Sequence, residues 1–339
     1  MILVLWLPFL VPFLAAPAAR RLAEALAPRP AAWVLGCTGA LLAGASAASL
    51  GLLVATGLLR IPAVAALGHL SVPWLADASP TAEVLAALAG AALVVTGVLT
   101  LRTAHHQYRD LRRARTALGL PAARRPRLRD LARPQHWLAP TGHPLEVLDD
   151  DHADAFALPG RPGRIVVTAG MLRALPAPER AALLAHERAH LTSRHHLFLA
   201  AAEYAAVLHP ALRQLRAPLG YHLERWADED AAHSVGDRAV TARAVGRAAL
   251  AAARTPSRRP LLAPAAATGP VPRRVAALLS PRQTTLLAPA KGPSARRRAV
   301  TALALAACLA VSTAATAVAT KDLHRTVERA QLAEDGARR

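Results

Sequence analysis

Four stretches of the chain are almost continuously apolar: Met1 to about Ala19, about Ala31 to Leu59, about Val84 to Leu101, and about Ala299 to Thr320. A helix needs about 20 predominantly apolar residues to cross the hydrocarbon core of a bilayer. The pattern therefore predicts about four membrane spans. The first stretch lacks a basic start, so a retained span is expected rather than a cleaved signal peptide. A shorter apolar run, Leu197 to Leu208, falls below spanning length and is expected to be a buried helix or to lie against the bilayer.

Between the third and fourth stretches the pattern changes. Leu145–Leu148 and Ala155–Leu158 are short strand candidates. Arg164-Ile165-Val166-Val167-Thr168 is the strongest, being rich in β-branched residues. Pro159-Gly160-Arg161-Pro162-Gly163 reads as a turn. From Pro178 onward the periodicity is helical. Pro178 suits a first-turn position, and Glu179 suits the positive end of the helix dipole. Residues 256–291 are rich in Pro, Arg and Ala and contain one predicted helix, Val271–Leu279.

Composition supports this reading. The chain is 53% hydrophobic but only 4% aromatic, with 27 prolines, a mix suited to short helices and spans rather than to a large soluble β-protein. Its net charge is +19, almost all of it from Arg. The arginines cluster beside the apolar stretches: Arg20, Arg21 and Arg29, then ten between Arg102 and Arg133, then Arg296–Arg298. Cytoplasmic flanks carry such an excess. The amino terminus and the tail after Thr320 are therefore expected outside, and the segment from Arg102 to Arg298 in the cytoplasm. The same placement explains the charge without nucleic acid, which is not expected as a partner; the bilayer is. Cys37 and Cys308 both lie in apolar runs and form neither a disulfide framework nor a metal motif.

The expected organisation is three spans with short loops in 1–101, a basic linker in 102–135, a domain in 136–290, a basic stop and fourth span in 291–320, and a short tail in 321–339. The fold class is an α-helical membrane protein with a mainly α cytoplasmic domain carrying a small β-sheet.

Chemistry concentrates at His186-Glu187-Arg188-Ala189-His190. Residues four apart in a helix share a face, so the two imidazoles can converge on one metal ion at about 2.0–2.1 Å. Glu187 is placed to take a proton from water rather than to bind the metal. This is the His-Glu-x-x-His zinc-peptidase signature. With 14 histidines in the chain, chance alone could produce the match. A third ligand is needed, and Glu224 supplies one. Asp228, four residues on, can accept the second ring N–H of a ligating His and fix its tautomer. His196 is a competing third ligand, six residues after His190. Ser193 stands where the competing pattern has a glycine, so a continuing helix would carry His196 to another face. His233, Tyr221 and His222 are candidates for stabilising an oxyanion, with no basis for choosing among them. His105, His106, His136, His143 and His152 have no ligand spacing.

With these motifs in hand, Asp154 to Leu279 resembles the membrane-embedded zinc peptidases that include the BlaR/MecR signal-transducing peptidases and the related HtpX and CAAX-prenyl peptidases. The resemblance runs in order through Ala155-Phe156-Ala157-Leu158-Pro159-Gly160, Ile165 to Leu172, the His186–His190 motif, Glu224-x-x-Ala227-Asp228, and Val271-Pro272-Arg273-Arg274-Val275 with Leu278-Leu279. His209-Pro210 and the arrangement of spans lean toward the BlaR/MecR branch. Penicillin-sensing members carry a large extracellular sensor after the last span. Here 19 residues follow Thr320, so direct β-lactam sensing is not expected.

The resemblance implies a zincin-like domain and peptide hydrolysis with Zn2+ as cofactor. In that reading His186, His190 and Glu224 hold the metal and Glu187 is the general base. Ile165, Val166, Val167 and Thr168 form an edge strand on which a peptide pairs in extended form. The substrate is expected to be a regulatory protein, such as a cytosolic repressor in a signal-transduction role, or a membrane protein under quality control. The competing reading is a catalytically inactive membrane sensor or scaffold of the same fold. A motif within a span is excluded by Glu179, Arg180, Glu187 and Arg188 around it.

Overall fold

A computed structural model describes residues 2–78, 81–119, 143–160, 162–253, 270–280 and 293–337. The first half is helical: α1 (Ile2–Glu24), α2 (Pro28–Leu58), two short helices α3 (Pro62–Gly68) and α4 (Val72–Ala78), and α5 (Ala82–Ala117). Then come β1 (Leu145–Leu148), β2 (Ala155–Leu158) and β3 (Arg164–Thr168). Next are α6 (Ala169–Ala174), α7 (Ala177–Thr192), α8 (His195–Leu208), a 3-10 helix (Pro210–Leu215), α9 (Arg216–Val235), α10 (Arg238–Ala252), α11 (Val271–Leu279) and α12 (Pro293–Ala337). Most of the Arg- and Pro-rich linkers, including His136, lie outside the described residues.

Three helices among the described residues are long and apolar enough to cross a membrane: α2, α5 and α12. The sequence pattern predicts four. The first stretch forms a helix, α1, with Pro8, Pro12 and Pro17 inside it and Arg20 and Arg21 near its end. α1 packs between α2 and α12. Pro12 has no N–H to give the Pro8 carbonyl, and buried Ser46 of α2 donates its hydroxyl there instead at 2.9 Å.

The run Leu197–Leu208 is resolved as α8, packed against α2 and α5. Small residues permit the approach: a Cβ on Gly36 would stand 3.0 Å from the Phe198 ring. Tyr204 donates to Gln107 of α5 at 2.9 Å, and His209 Nε2 donates to the Phe9 carbonyl of α1 at 3.0 Å. One apolar core joins Ala15, Leu35 and Leu42 of the long helices to Leu212, Leu219, Leu223 and Trp226 near the site. The site helices are thus built on the candidate spans rather than hung from them.

The three predicted strands form one sheet of order β1-β3-β2. β1 lies parallel to β3 with Leu145 opposite Ile165, and β2 antiparallel with Ala155 opposite Val167. This corrects the expected edge strand. Ile165, Val166, Val167 and Thr168 are the centre of the sheet, paired on both sides and buried on both faces. Their backbone groups are spent on β1 and β2, so no peptide can add there. An unbroken β-branched run suits a strand covered on both faces, whereas an edge strand tolerates exposure. Among the described residues, β2 pairs only with β3 and keeps an open side.

The β2–β3 turn is held by α5, which continues as a helix well past its apolar part. Buried Arg115 lies directly over Gly160, where a Cβ would clash with its guanidinium, and donates to the Pro159 carbonyl at 3.4 Å.

Candidate metal centre

α7 begins after Pro176 with Pro178 in its first turn, as the sequence predicts. Its acidic first-turn residue is not a surface charge: Glu179 is buried and faces Arg243 and Arg247 of α10 at 3.5 and 3.4 Å. α7 packs on β2 and β3 on one side and on α9 and α10 on the other. The apolar positions Leu183, Leu184 and Leu191 face the sheet with Ala155, Ala157, Ile165 and Val167. The same helix carries His186, Glu187 and His190 into the interior, each essentially unexposed.

Glu224 of α9 meets the two histidines. His186 Nε2 and His190 Nε2 are 3.0 Å apart, and each is 3.5 Å from an oxygen of the Glu224 carboxylate. These three residues form a group able to hold a metal ion among the described residues. Two ligand atoms about 2.0–2.1 Å from a tetrahedral zinc stand about 3.3–3.4 Å from each other. The observed spacings bracket that value, so the donor set fits zinc. Two imidazoles and one carboxylate leave a fourth position for water, the pattern of a catalytic rather than a structural site.

Asp228 lies one turn beyond Glu224 on α9, and its Oδ1 stands 3.0 Å from His186 Nδ1. Arg274 of α11 closes the arrangement. It is fully buried and grips Asp228 with a fork, Nε to Oδ2 at 2.8 Å and an Nη to Oδ1 at 2.6 Å. Its other Nη stands 3.0 Å from Glu224 Oε2. The guanidinium also feels the charge of Glu187.

These contacts set the charge states. Burial alone would lift Asp228, but Arg274 and His186 overcome it and hold its carboxyl near 2. Burial alone would push His186 down, but Asp228 and Glu224 overcome it and raise the ring to about 9. His190 goes the other way: burial, then the charge of His186, keeps it well below its ordinary value. In the metal-free protein His186 is therefore the donor across the 3.0 Å contact and His190 the acceptor.

The other histidines sort cleanly. His196 is half-buried and takes no part in the group. The residue brought to the site instead is its neighbour His195, whose Nδ1 is 2.7 Å from His190 Nδ1. α7 does not continue past the motif: Arg194 adopts the left-handed conformation (φ 54°) without being glycine, and α8 starts afresh at His195. Tyr221 and His222 line a cavity of about 1130 Å³ on another face of α9, whose lining includes none of His186, Glu187, His190 and Glu224. His233 is exposed, as are His105, His106 and His152.

Sequence reasoning assigned no role to two residues of the site. Arg274 carried a signal: Val271, Arg274, Val275 and Leu278 share the inward stripe of α11, and an Arg on an apolar stripe demands a buried anion. His195 carried none, because its position depends on the break at Arg194.

Residues 124–213 match the sequence model of peptidase family M48. The matched stretch takes in the whole sheet, α7 and α8, hence His186, Glu187, His190 and His195; Glu224, Asp228 and Arg274 lie beyond it. No curated protein and no solved structure shows a match to the chain. Together with the buried group of two histidines and a glutamate, the family match supports a metallopeptidase of family M48.

Proposed function

We propose that this chain is a membrane-bound zinc metalloendopeptidase in which His186, His190 and Glu224 bind zinc and Glu187 is the general base. The observation that carries the reading is the closure of Glu224 onto the His186–His190 pair, from a helix 34 residues further along the chain, at spacings suited to one tetrahedral ion. The peptidase domain, 136–290, faces the cytoplasm in this reading, as the arginines beside the apolar parts of α5 and α12 favour. The substrate is a regulatory or membrane protein. A cytosolic repressor fits the resemblance to the BlaR/MecR branch.

When bound, zinc supplies a Lewis acid that acidifies water toward neutral pH and polarises the scissile carbonyl. The protein supplies the rest. Glu187 takes the proton from the attacking water and returns it to the leaving amide nitrogen. Asp228, clamped by Arg274, keeps His186 facing the site. In this reading the substrate strand is β2, whose side away from β3 has no strand partner among the described residues and suits an added extended peptide; α7, which carries the motif, packs on β2.

The test is Glu187→Gln in the full chain, assayed for peptide hydrolysis alongside zinc content. The reading predicts retained zinc with hydrolysis reduced by roughly 10²-fold or more. A Glu187→Gln protein that keeps zinc and full activity would sink the mechanism.

A further inference from the structure

The two histidines of the centre are held by different kinds of partner. His186 has a carboxylate at its Nδ1, Asp228, at 3.0 Å. His190 has another imidazole, with its Nδ1 2.7 Å from His195 Nδ1. The rings meet edge to face, 81° apart. His195 is wholly buried, and its ring lies 4.8 Å from that of Trp226. Phe198 closes on the same indole at 6.2 Å.

One proton must lie between two ring nitrogens at 2.7 Å, and neutral imidazole carries only one. If His195 donates it, His190 must carry its own proton on Nε2, the nitrogen that faces His186 and Glu224. That tautomer offers the metal position an N–H and not a lone pair. If His190 donates, its Nε2 lone pair is free for the metal and His195 is the acceptor. His195 then carries its proton on Nε2, a buried atom with no hydrogen-bonding partner. Only the second arrangement leaves Nε2 of His190 free for a metal, and it does so at the cost of an unpaired buried N–H on His195.

The backbone shows how this contact is built. Five residues along an unbroken helix turn the chain about 500°, which would point residue 195 well away from His190. The left-handed Arg194 interrupts α7 and returns His195 to the His190 ring, while His196 is turned aside. His195 is also the first residue of the helix packed on α2 and α5.

We propose that His195 is a positioning residue for His190: its neutral Nδ1 accepts the His190 Nδ1 proton and fixes the Nε2 lone pair toward the metal position. This rests on the reading of the site as a metal centre. Partners of this kind change metal affinity by about 10–100-fold when removed. Here the partner is a neutral ring and not a carboxylate, so the ligand set gains orientation without further negative charge.

The test uses the full chain in detergent and measures zinc affinity by competition with a chromophoric chelator. Four variants are compared: His195→Leu, His195→Gln, His195→Asn and His190→Ala. The side-chain oxygen of Asn falls where Nδ1 of His lies and accepts the same proton, whereas that of Gln reaches the Nε2 position. His195→Leu and His195→Gln are expected to bind zinc about 10–100-fold more weakly, with His195→Asn restoring most of the loss. If Leu equals wild type, or if Asn binds as weakly as Gln, His195 is a packing residue and the inference is wrong. Should His195→Leu fail to fold, the Asn and Gln pair decides alone. His190→Ala separates the two levels of the argument. If it leaves zinc affinity intact, the metal-centre reading itself has failed. If it abolishes binding while the His195 series does nothing, only the inference has.

Discussion

Replacing Arg274 by Met tests the electrostatics beneath the site. The guanidinium is fully buried and makes three close contacts, two with Asp228 at 2.8 and 2.6 Å and one with Glu224 at 3.0 Å. Met fills much of the same space but leaves Asp228 facing only His186 and takes from Glu224 its nearest fixed cation. Breaking a buried pair by removing one partner typically costs about 3–5 kcal/mol, because the remaining charge is left uncompensated in a low-dielectric interior. Arg274→Met should therefore lower the stability of the metal-free protein by about that much. Arg274→Lys keeps the charge but not the fork, and should fall between the two. Trp226, buried on α9 within two residues of both carboxylates, lets denaturant unfolding be followed by fluorescence. Asp228→Asn on its own leaves the guanidinium underpaired, so the double variant should lose less than the sum of the singles by about 1 kcal/mol or more. A loss below about 1 kcal/mol for Arg274→Met, or simple additivity with Asp228→Asn, would refute the reasoning.

Gly160→Val forces Arg115 out of its seat on the β2–β3 turn, and overpacking of this kind costs about 1–3 kcal/mol. The combination with Arg115→Ala should recover part of that loss in a thermal melt; a loss equal to the sum of the single changes would contradict the contact. His222 is held near 4, first by burial and then by Arg225 and Arg273. The unfolded chain takes up its proton near 6.5 and the folded chain only near 4, so the stability that His222 confers is complete above about pH 6.5 and is lost as pH falls toward 4. That amounts to roughly 3 kcal/mol at most. His222→Gln should flatten the fall of the unfolding midpoint across this range, and an unchanged slope would show that His222 is not the group responsible.

Much of the site was legible because its spacing is local. His186 and His190 are four apart, as are Glu224 and Asp228, and a helix turns both spacings into shared faces. That Asp228 pairs with a ligating imidazole followed from the need of such a ring for an outer partner, and packing makes that ring His186. Arg274 was harder to see because its partner lies 46 residues away, and only tertiary packing brings α11 back to α9. His195 was hidden by a backbone event: absence of glycine at Ser193 argued for a continuing helix, but the chain turned at Arg194 instead. All three strands were found in their places, yet their order was misread. The β-branched density of Ile165–Thr168 marks strength of pairing, and the strand that pairs most completely sits in the middle of the sheet. Pairing on both sides separates it from β2, which is buried at three of its four positions but pairs only with β3 among the described residues. The long apolar helices were visible from hydropathy. What hydropathy did not reveal is that α8, too short to cross, would pack on both α2 and α5.

The most direct measurement of the central claim is the zinc content of the full chain, purified without added chelator and without a metal-binding tag, beside Glu224→Ala. The account predicts about one zinc per chain in the parent protein and little in the variant, because two imidazoles alone make an incomplete site. A parent chain that holds no zinc when the metal is supplied, or a Glu224→Ala chain that holds as much as the parent, would contradict it.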